Sequence, residues 1–455
     1  MTRISTLSQH ADALRAGTTT AVEQLDTALA RIAAPDGEGA RVFTRVYDRA
    51  ARAAAEASDG LRKVGLARSP IDGLTISIKD LFDVRGETTL AGSVVLADAA
   101  PADAHAEIVN RLIAAGAVIV GKTNMTEFAY SGLGLNPHYG TPKNTWDRPT
   151  GRIPGGSSSG AAISVSDAMS MAAIGTDTGG SVRIPAALNG LTGFKPTARR
   201  VPTTGALPLS THLDSIGPIA PSVACCATLD AILTGETPHA LPSLPLRGLR
   251  LALPTTVVLD DLDAQVSASF ERAVTRLSAA GAVIDEIAVP AFAQLADINA
   301  KGGFTAAEAW AWHRHLIAAH PDRYDPRVAS RMRRGEAMSA ADFIELLQAR
   351  TQWIDAAGAT FAPYDALILP TVPIVAPPIA ELAASDDAYF RANGLMLRNP
   401  SVINFLDGCA LSIPCQQEGE APVGLMLAGT ALSDRRILAI GQACEAALGI
   451  RGAAA

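Results

Sequence analysis

Cysteine is scarce in this sequence: Cys225, Cys226, Cys409, Cys415 and Cys444 are all there are, and none forms a Cys-x-x-Cys pair. That removes the usual sequence signs of a disulfide framework or a structural zinc site, and the apolar neighbours of these residues read as buried thiols. Histidine is no richer in metal-binding patterns, since His313 and His315 stand two apart and would diverge on a helix. No metal and no cofactor is therefore expected. No apolar run approaches the ~18 residues of a membrane span, and the first 20 residues lack the apolar core of a signal peptide. The expectation is a cytoplasmic chain with no membrane partner. Basic residues are also too dispersed for a nucleic-acid surface: 38 Lys and Arg against 45 Asp and Glu leave a net charge of −7 with no basic run, so no direct nucleic-acid partner is expected.

Apolar residues are plentiful, at 48% against 18% charged, enough for a large core. Their order follows α/β grammar. Val22, Leu25, Leu29 and Ile32 recur at helical spacing after the candidate N-caps Thr18 to Thr20. Ile108, Leu112 and Ile113 mark a helix ending at Gly116, followed by a strand at Val118–Val120. The hexapeptide AAGAVI occurs there and again at 279–284, which is helix, glycine cap and strand used twice. The proline-rich stretch from Gly235 to Gly248 reads as a surface loop, residues 372–380 as an ordered loop and Ala366–Leu369 as a strand.

The chemistry concentrates in two glycine-flanked serines. Ser157 opens GGSSSG, and Ser181 follows Thr178-Gly179-Gly180. Glycines before a hydroxyl let the backbone turn sharply and aim successive N–H groups at one point, as an exposed nucleophile beside an oxyanion hole requires. GGSSSG lacks the GK[ST] ending of a phosphate loop. Upstream, Leu74, Ile76 and Ile78 alternate with Thr75, Ser77 and Lys79, so a strand would put the lysine on the face opposite the three apolar side chains. A lysine acts as a base only when neutral, so its site must bury it or set it near positive charge. The bland alternative is a strand-end lysine paired with Asp80. Asp177 and Arg183 flank the nucleophile and suit an ion pair that holds the turn, the alternative being a bidentate contact of Arg183 with an acidic substrate group.

In order, these segments are IKD, GKTNMTEFAYSGLGLNPHYGTPKNTWD, GGSSSG, GTDTGGSVRIPA and GFKPT, with YDALILPTVPI and NFLDGCALSIPC further on. The chain resembles the amidase signature family, with the motif core at about residues 70–220. The resemblance implies an α/β amidase signature fold, a large mixed central β-sheet sandwiched by helices, as a single amidase domain over 1–455 with a helical N-terminal segment at 1–60. It implies Ser181 as nucleophile, Ser157 as bridging serine after a cis peptide bond, and Lys79 as base. The oxyanion hole would fall on Thr178, Gly179, Gly180 and Ser181. Substrate contacts would fall on Tyr130, Ser131, Gly156 and Ser158, with Asp177 and Arg183 as structural support.

The implied function is hydrolysis of the C–N bond of a small carboxamide or carbonyl-urea compound through a serine acyl-enzyme, releasing ammonia or an amine. A homodimer is the family-level expectation. Two other readings stand beside it. One is the glutaminase component of a tRNA-dependent amidotransferase, against which TEFAYSG replaces the DEFAMGS usual there; the other is a silent binding protein, against which Lys79, Ser157 and Ser181 are all present.

Overall fold

The computed structural model describes residues 4–450. Eleven strands form one mixed sheet: β1 (Phe43–Val46), β2 (Thr75–Lys79), β3 (Val118–Thr123), β4 (Ala172–Asp177), β5 (Thr192–Lys195), β6 (Ser215–Ala220), β7 (Arg250–Pro254), β8 (Val283–Ile287), β9 (Ala366–Pro370), β10 (Cys409–Pro414) and β11 (Gly424–Gly429). Their spatial order is β1-β3-β2-β4-β6-β5-β10-β11-β9-β7-β8. β2 runs parallel to both β3 and β4, whereas β4 pairs antiparallel with β6. This is the mixed, helix-flanked α/β architecture expected from the sequence.

The repeated hexapeptide behaves as its grammar predicts. The helices Glu107–Ala114 and Ala264–Ala279 are each followed by a left-handed glycine, Gly116 or Gly281, and then by β3 or β8. Glycine tolerates the positive φ that turns each helix end back toward the sheet. The helix Ala21–Ile32 starts from a capping box in which Thr20 accepts from the Glu23 N–H and the Glu23 side chain accepts from the Thr20 N–H. The expected helical N-terminal segment is interrupted, because β1 at Phe43–Val46 adds an edge strand against β3; residues 1–3 of that segment lie outside the described residues. Short strands at a sheet edge carry little periodicity, which is why four residues passed as helical surroundings.

Every residue of β2 is buried. Ile76 and Ile78 join an apolar cluster with Leu25, Ile108, Leu229 and Ile437 from four helices, while Ser77 Oγ meets Ser164 Oγ of the helix Ser159–Ser166 at 2.9 Å. A strand in the middle of a sheet covered on both faces has no solvent side, so its polar side chains must find partners inside. The Gly235–Gly248 stretch is irregular and links the helix Val223–Thr234 to β7; of the loop expected at 372–380, residues 372–378 are irregular and tied to Ile153 by a backbone hydrogen bond, while the helix Ile379–Ala384 takes the last two, the Ile379 N–H donating to the Gly151 carbonyl. Among the described residues no helix is long and apolar enough to cross a membrane.

Candidate active site

At the carboxyl ends of the parallel neighbours β2 and β4, Lys79, the last residue of β2, reaches Thr176, the residue before Asp177 at the end of β4, the usual location of a site in an open α/β sheet. Lys79 is fully buried. Its Nζ lies 2.7 Å from Ser157 Oγ and 2.8 Å from Thr176 Oγ1. Burial pushes its pKa from 10.5 down to about 7, against the opposing pull of Asp214 and then Asp177. Among the described residues no carboxylate pairs with it directly: Asp80, the partner of the bland alternative, instead faces Lys122 at 3.7 Å. A neutral amine there can accept the Ser157 proton and donate to Thr176.

The Gly156–Ser157 peptide bond is cis. The Ser157 carbonyl accepts from the Thr126 N–H at 3.1 Å, and the Ser158 N–H donates to the Ser181 carbonyl at 3.2 Å, which ties the two serine loops together. Ser181 is nearly buried, and among the described residues its hydroxyl makes no hydrogen bond. Gly180, at φ 122°, has no room for a side chain, since a Cβ would stand 2.6 Å from Pro400 Cβ.

Asp177 organises the turn. Its carboxylate accepts from the Gly180 N–H at 2.8 Å and the Val182 N–H at 3.2 Å, and takes a two-point contact from Arg183 at 3.0 and 2.8 Å. Arg183 Nη2 also donates to Asn404 Oδ1 at 2.6 Å, and Asn404 Nδ2 returns a bond to Asp177 at 2.9 Å. Burial alone would raise the Asp177 pKa; Arg183 overrides it and holds the carboxyl well below its ordinary range. Removing one partner of such a pair strands the other charge in the interior. Arg183→Met is therefore expected to destabilise the fold by about 3–5 kcal/mol in denaturant unfolding, with loss of activity following the loss of the turn.

This network corrects one expectation for the oxyanion hole: the Gly180 N–H is taken by Asp177, leaving those of Thr178, Gly179 and Ser181 without a backbone partner among the described residues. The expected substrate contacts are also redistributed. Ser158 points its hydroxyl at the Thr176 carbonyl, 3.4 Å away, and is fully buried. Ser131 Oγ donates to Asn393 Oδ1 at 2.9 Å. Tyr130 is buried beneath the Arg331 guanidinium, 4.3 Å from its ring centre, with its hydroxyl 3.4 Å from Thr305. Gly156 packs its backbone on Gly134 with no space for a Cβ. Each of these four is engaged with protein, because closely packed loops use their polar groups on one another.

A cavity of about 170 Å³ adjoins the site, lined among others by Thr176, Thr178, Ala129 and Asp214. Asp214 Oδ1 accepts from Thr178 Oγ1 at 2.5 Å, and Oδ2 accepts from the Leu209 and Ser210 N–H groups at 2.9 and 3.0 Å. Neither Thr176 nor Asp214 stood out in the sequence. Among the described residues no group of three His, Cys, Asp or Glu side chains is placed to hold a metal ion.

The family model described as Amidase matches residues 23–438. A 2-amino-5-chloromuconic acid deaminase of Comamonas testosteroni is 36% identical over 97% of this chain and 96% of its own length. One component of the glutamyl-tRNA(Gln) amidotransferase of Chloroflexus aggregans is 34% identical over 97% and 96%. Among solved structures, one described as an amidase superposes with a TM-score of 0.86 at 32% identity, covering 97% of this chain and 99% of that one. Matched by the family model over residues 23–438, and similar over nearly the whole length to these relatives, the chain belongs to the amidase family and is an amide hydrolase.

Proposed function

We propose that the chain hydrolyses small carboxamides by acyl transfer to Ser181, with Ser157 as proton relay and Lys79 as base. The observation that carries this reading is the buried Lys79 Nζ held between the hydroxyls of Ser157 and Thr176, where burial pushes its pKa down to about 7. Neutral Lys79 takes the Ser157 proton as Ser157 takes that of Ser181, and Ser181 Oγ bonds to the carbonyl carbon. The C–N bond then breaks, and the relayed proton leaves on the amine. Water then adds to the acyl carbon by the same route, the Ser181 Oγ–C bond breaks to release the acid, and the proton from water restores the Ser181 hydroxyl. The N–H groups of Thr178, Gly179 and Ser181, without a backbone partner among the described residues, are those available to the oxyanion. The reading assigns this activity to the 455-residue chain as one unit, and the five free cysteines suit a reducing, cytoplasmic setting.

Ammonia release across a panel of aliphatic and aryl amides, malonamate, biuret-type compounds and glutamine tests the proposal, with Ser181→Ala as control. Release from one group, lost in the variant, supports it; release that survives in the variant removes Ser181 from the mechanism. The similarity to the amidotransferase component over 96% of that protein keeps a glutaminase reading in view, and turnover of glutamine alone, dependent on copurifying partner proteins, would favour it. The pH dependence is set by Lys79: only the neutral form works, so kcat/KM is expected to rise through a midpoint of about 7 and level off above it.

A further inference from the structure

The cavity beside Lys79 lies on one particular side of the reaction. Under the acyl-transfer reading, on which this inference rests, the proton drawn from Ser181 returns to the departing nitrogen from Ser157 and Lys79. That nitrogen must therefore stand on the Lys79 side of the carbonyl, and the water that replaces it enters there too. Thr176, whose hydroxyl touches Lys79, lines the cavity, as does Thr178 at the start of the nucleophile turn. At about 170 Å³ the space holds roughly five water-sized groups, enough for an amine with a short arm.

Its charge is one-sided. Asp214 is half-buried on the cavity wall, and no Lys or Arg among the described residues lines the space. Glu308, from the helix Gly303–Ala319, stands close enough to raise the Asp214 pKa further after burial has done so. Glu308 is held by the hydroxyls of Ser210 and Thr211 and by His212 Nδ1. We infer that this cavity receives the leaving amine and that Asp214 selects amines whose arm is cationic over amines whose arm bears a carboxylate. The bonds made and broken are those of acylation: Ser181 Oγ–C forms, C–N breaks, and the proton of Ser181 departs on the nitrogen. Asp214 touches only the arm.

Three acetamides with one acyl group and arms of equal length test this: N-(2-aminoethyl), N-propyl and N-carboxymethyl. At about pH 8, above the Asp214 midpoint of about 6, the wild-type enzyme is expected to favour the cationic arm over the anionic one by about tenfold or more in kcat/KM. Asp214→Asn should flatten the ranking. Thr203→Lys, which alters an exposed wall residue and leaves the hydrogen bonds of Asp214 in place, should reverse it, and decides the matter if Asp214→Asn fails to fold. A ranking unchanged in both variants, or a wild-type preference for the anionic arm, overturns the inference while Ser181-dependent hydrolysis of acetamide keeps the underlying mechanism. Acetamide turnover that survives Ser181→Ala overturns both.

Discussion

Ser181→Ala is expected to lower kcat on the cleaved amide by roughly 10⁴- to 10⁶-fold, the range seen when a nucleophile that acts with its base as a unit is removed. The fold should be untouched. The hydroxyl makes no hydrogen bond among the described residues, and the turn is held by Asp177, Arg183 and the packing of Gly180 against Pro400. Its removal leaves no buried partner unsatisfied, so the unfolding midpoint should stay within experimental error. Equal loss of activity and stability would mean that Ser181 is a scaffold residue. The measurement is steady-state turnover beside a denaturant melt on the same preparation.

Lys79→Met separates chemistry from structure in the opposite direction. Methionine keeps an unbranched apolar stem in the same slot but cannot carry a proton, and kcat is expected to fall by roughly 10²- to 10⁴-fold, the usual contribution of a positioned base. KM should move little, since Lys79 is fully buried and is not among the residues lining the cavity. The rise of kcat/KM through a midpoint of about 7 should vanish with the lysine. Two effects oppose each other in stability: methionine removes the cost of burying an amine, but the hydroxyls of Ser157 and Thr176 lose their bonds to Lys79, so a net change within about 1–3 kcal/mol is expected. A melt lowered by several kcal/mol with the pH profile intact would contradict this assignment.

The sequence carried much of this arrangement where the physics is local. Glycines before Ser157 and Ser181, the alternation ending at Lys79 and the caps of AAGAVI are decided within a few residues, and the observed turns and strands follow them. The N–H of Gly180 was misread for the opposite reason: the turn does aim its donors together, but the carboxylate of Asp177, three residues back, reaches one first. Non-local pairs left no trace. Asp214 meets Thr178 across 36 residues because β4 and β6 pair antiparallel with Asp177 opposite Ser215, and Asn404 reaches Asp177 from a helix 227 residues away. Ser131 and Tyr130 lie in a segment that resembles a substrate loop, yet Asn393 and Arg331 hold them from helices that only the folded chain brings near.

The acyl-enzyme is the intermediate on which the mechanism turns. Acid quench of the wild-type protein during turnover of a slowly deacylating amide, followed by peptide mapping by mass spectrometry, locates any acyl group directly. One acyl increment is expected on the peptide containing Ser181, absent from Ser181→Ala. An increment on Ser157 instead, or complete turnover with no covalent intermediate under conditions where deacylation limits the rate, would contradict Ser181 as the nucleophile.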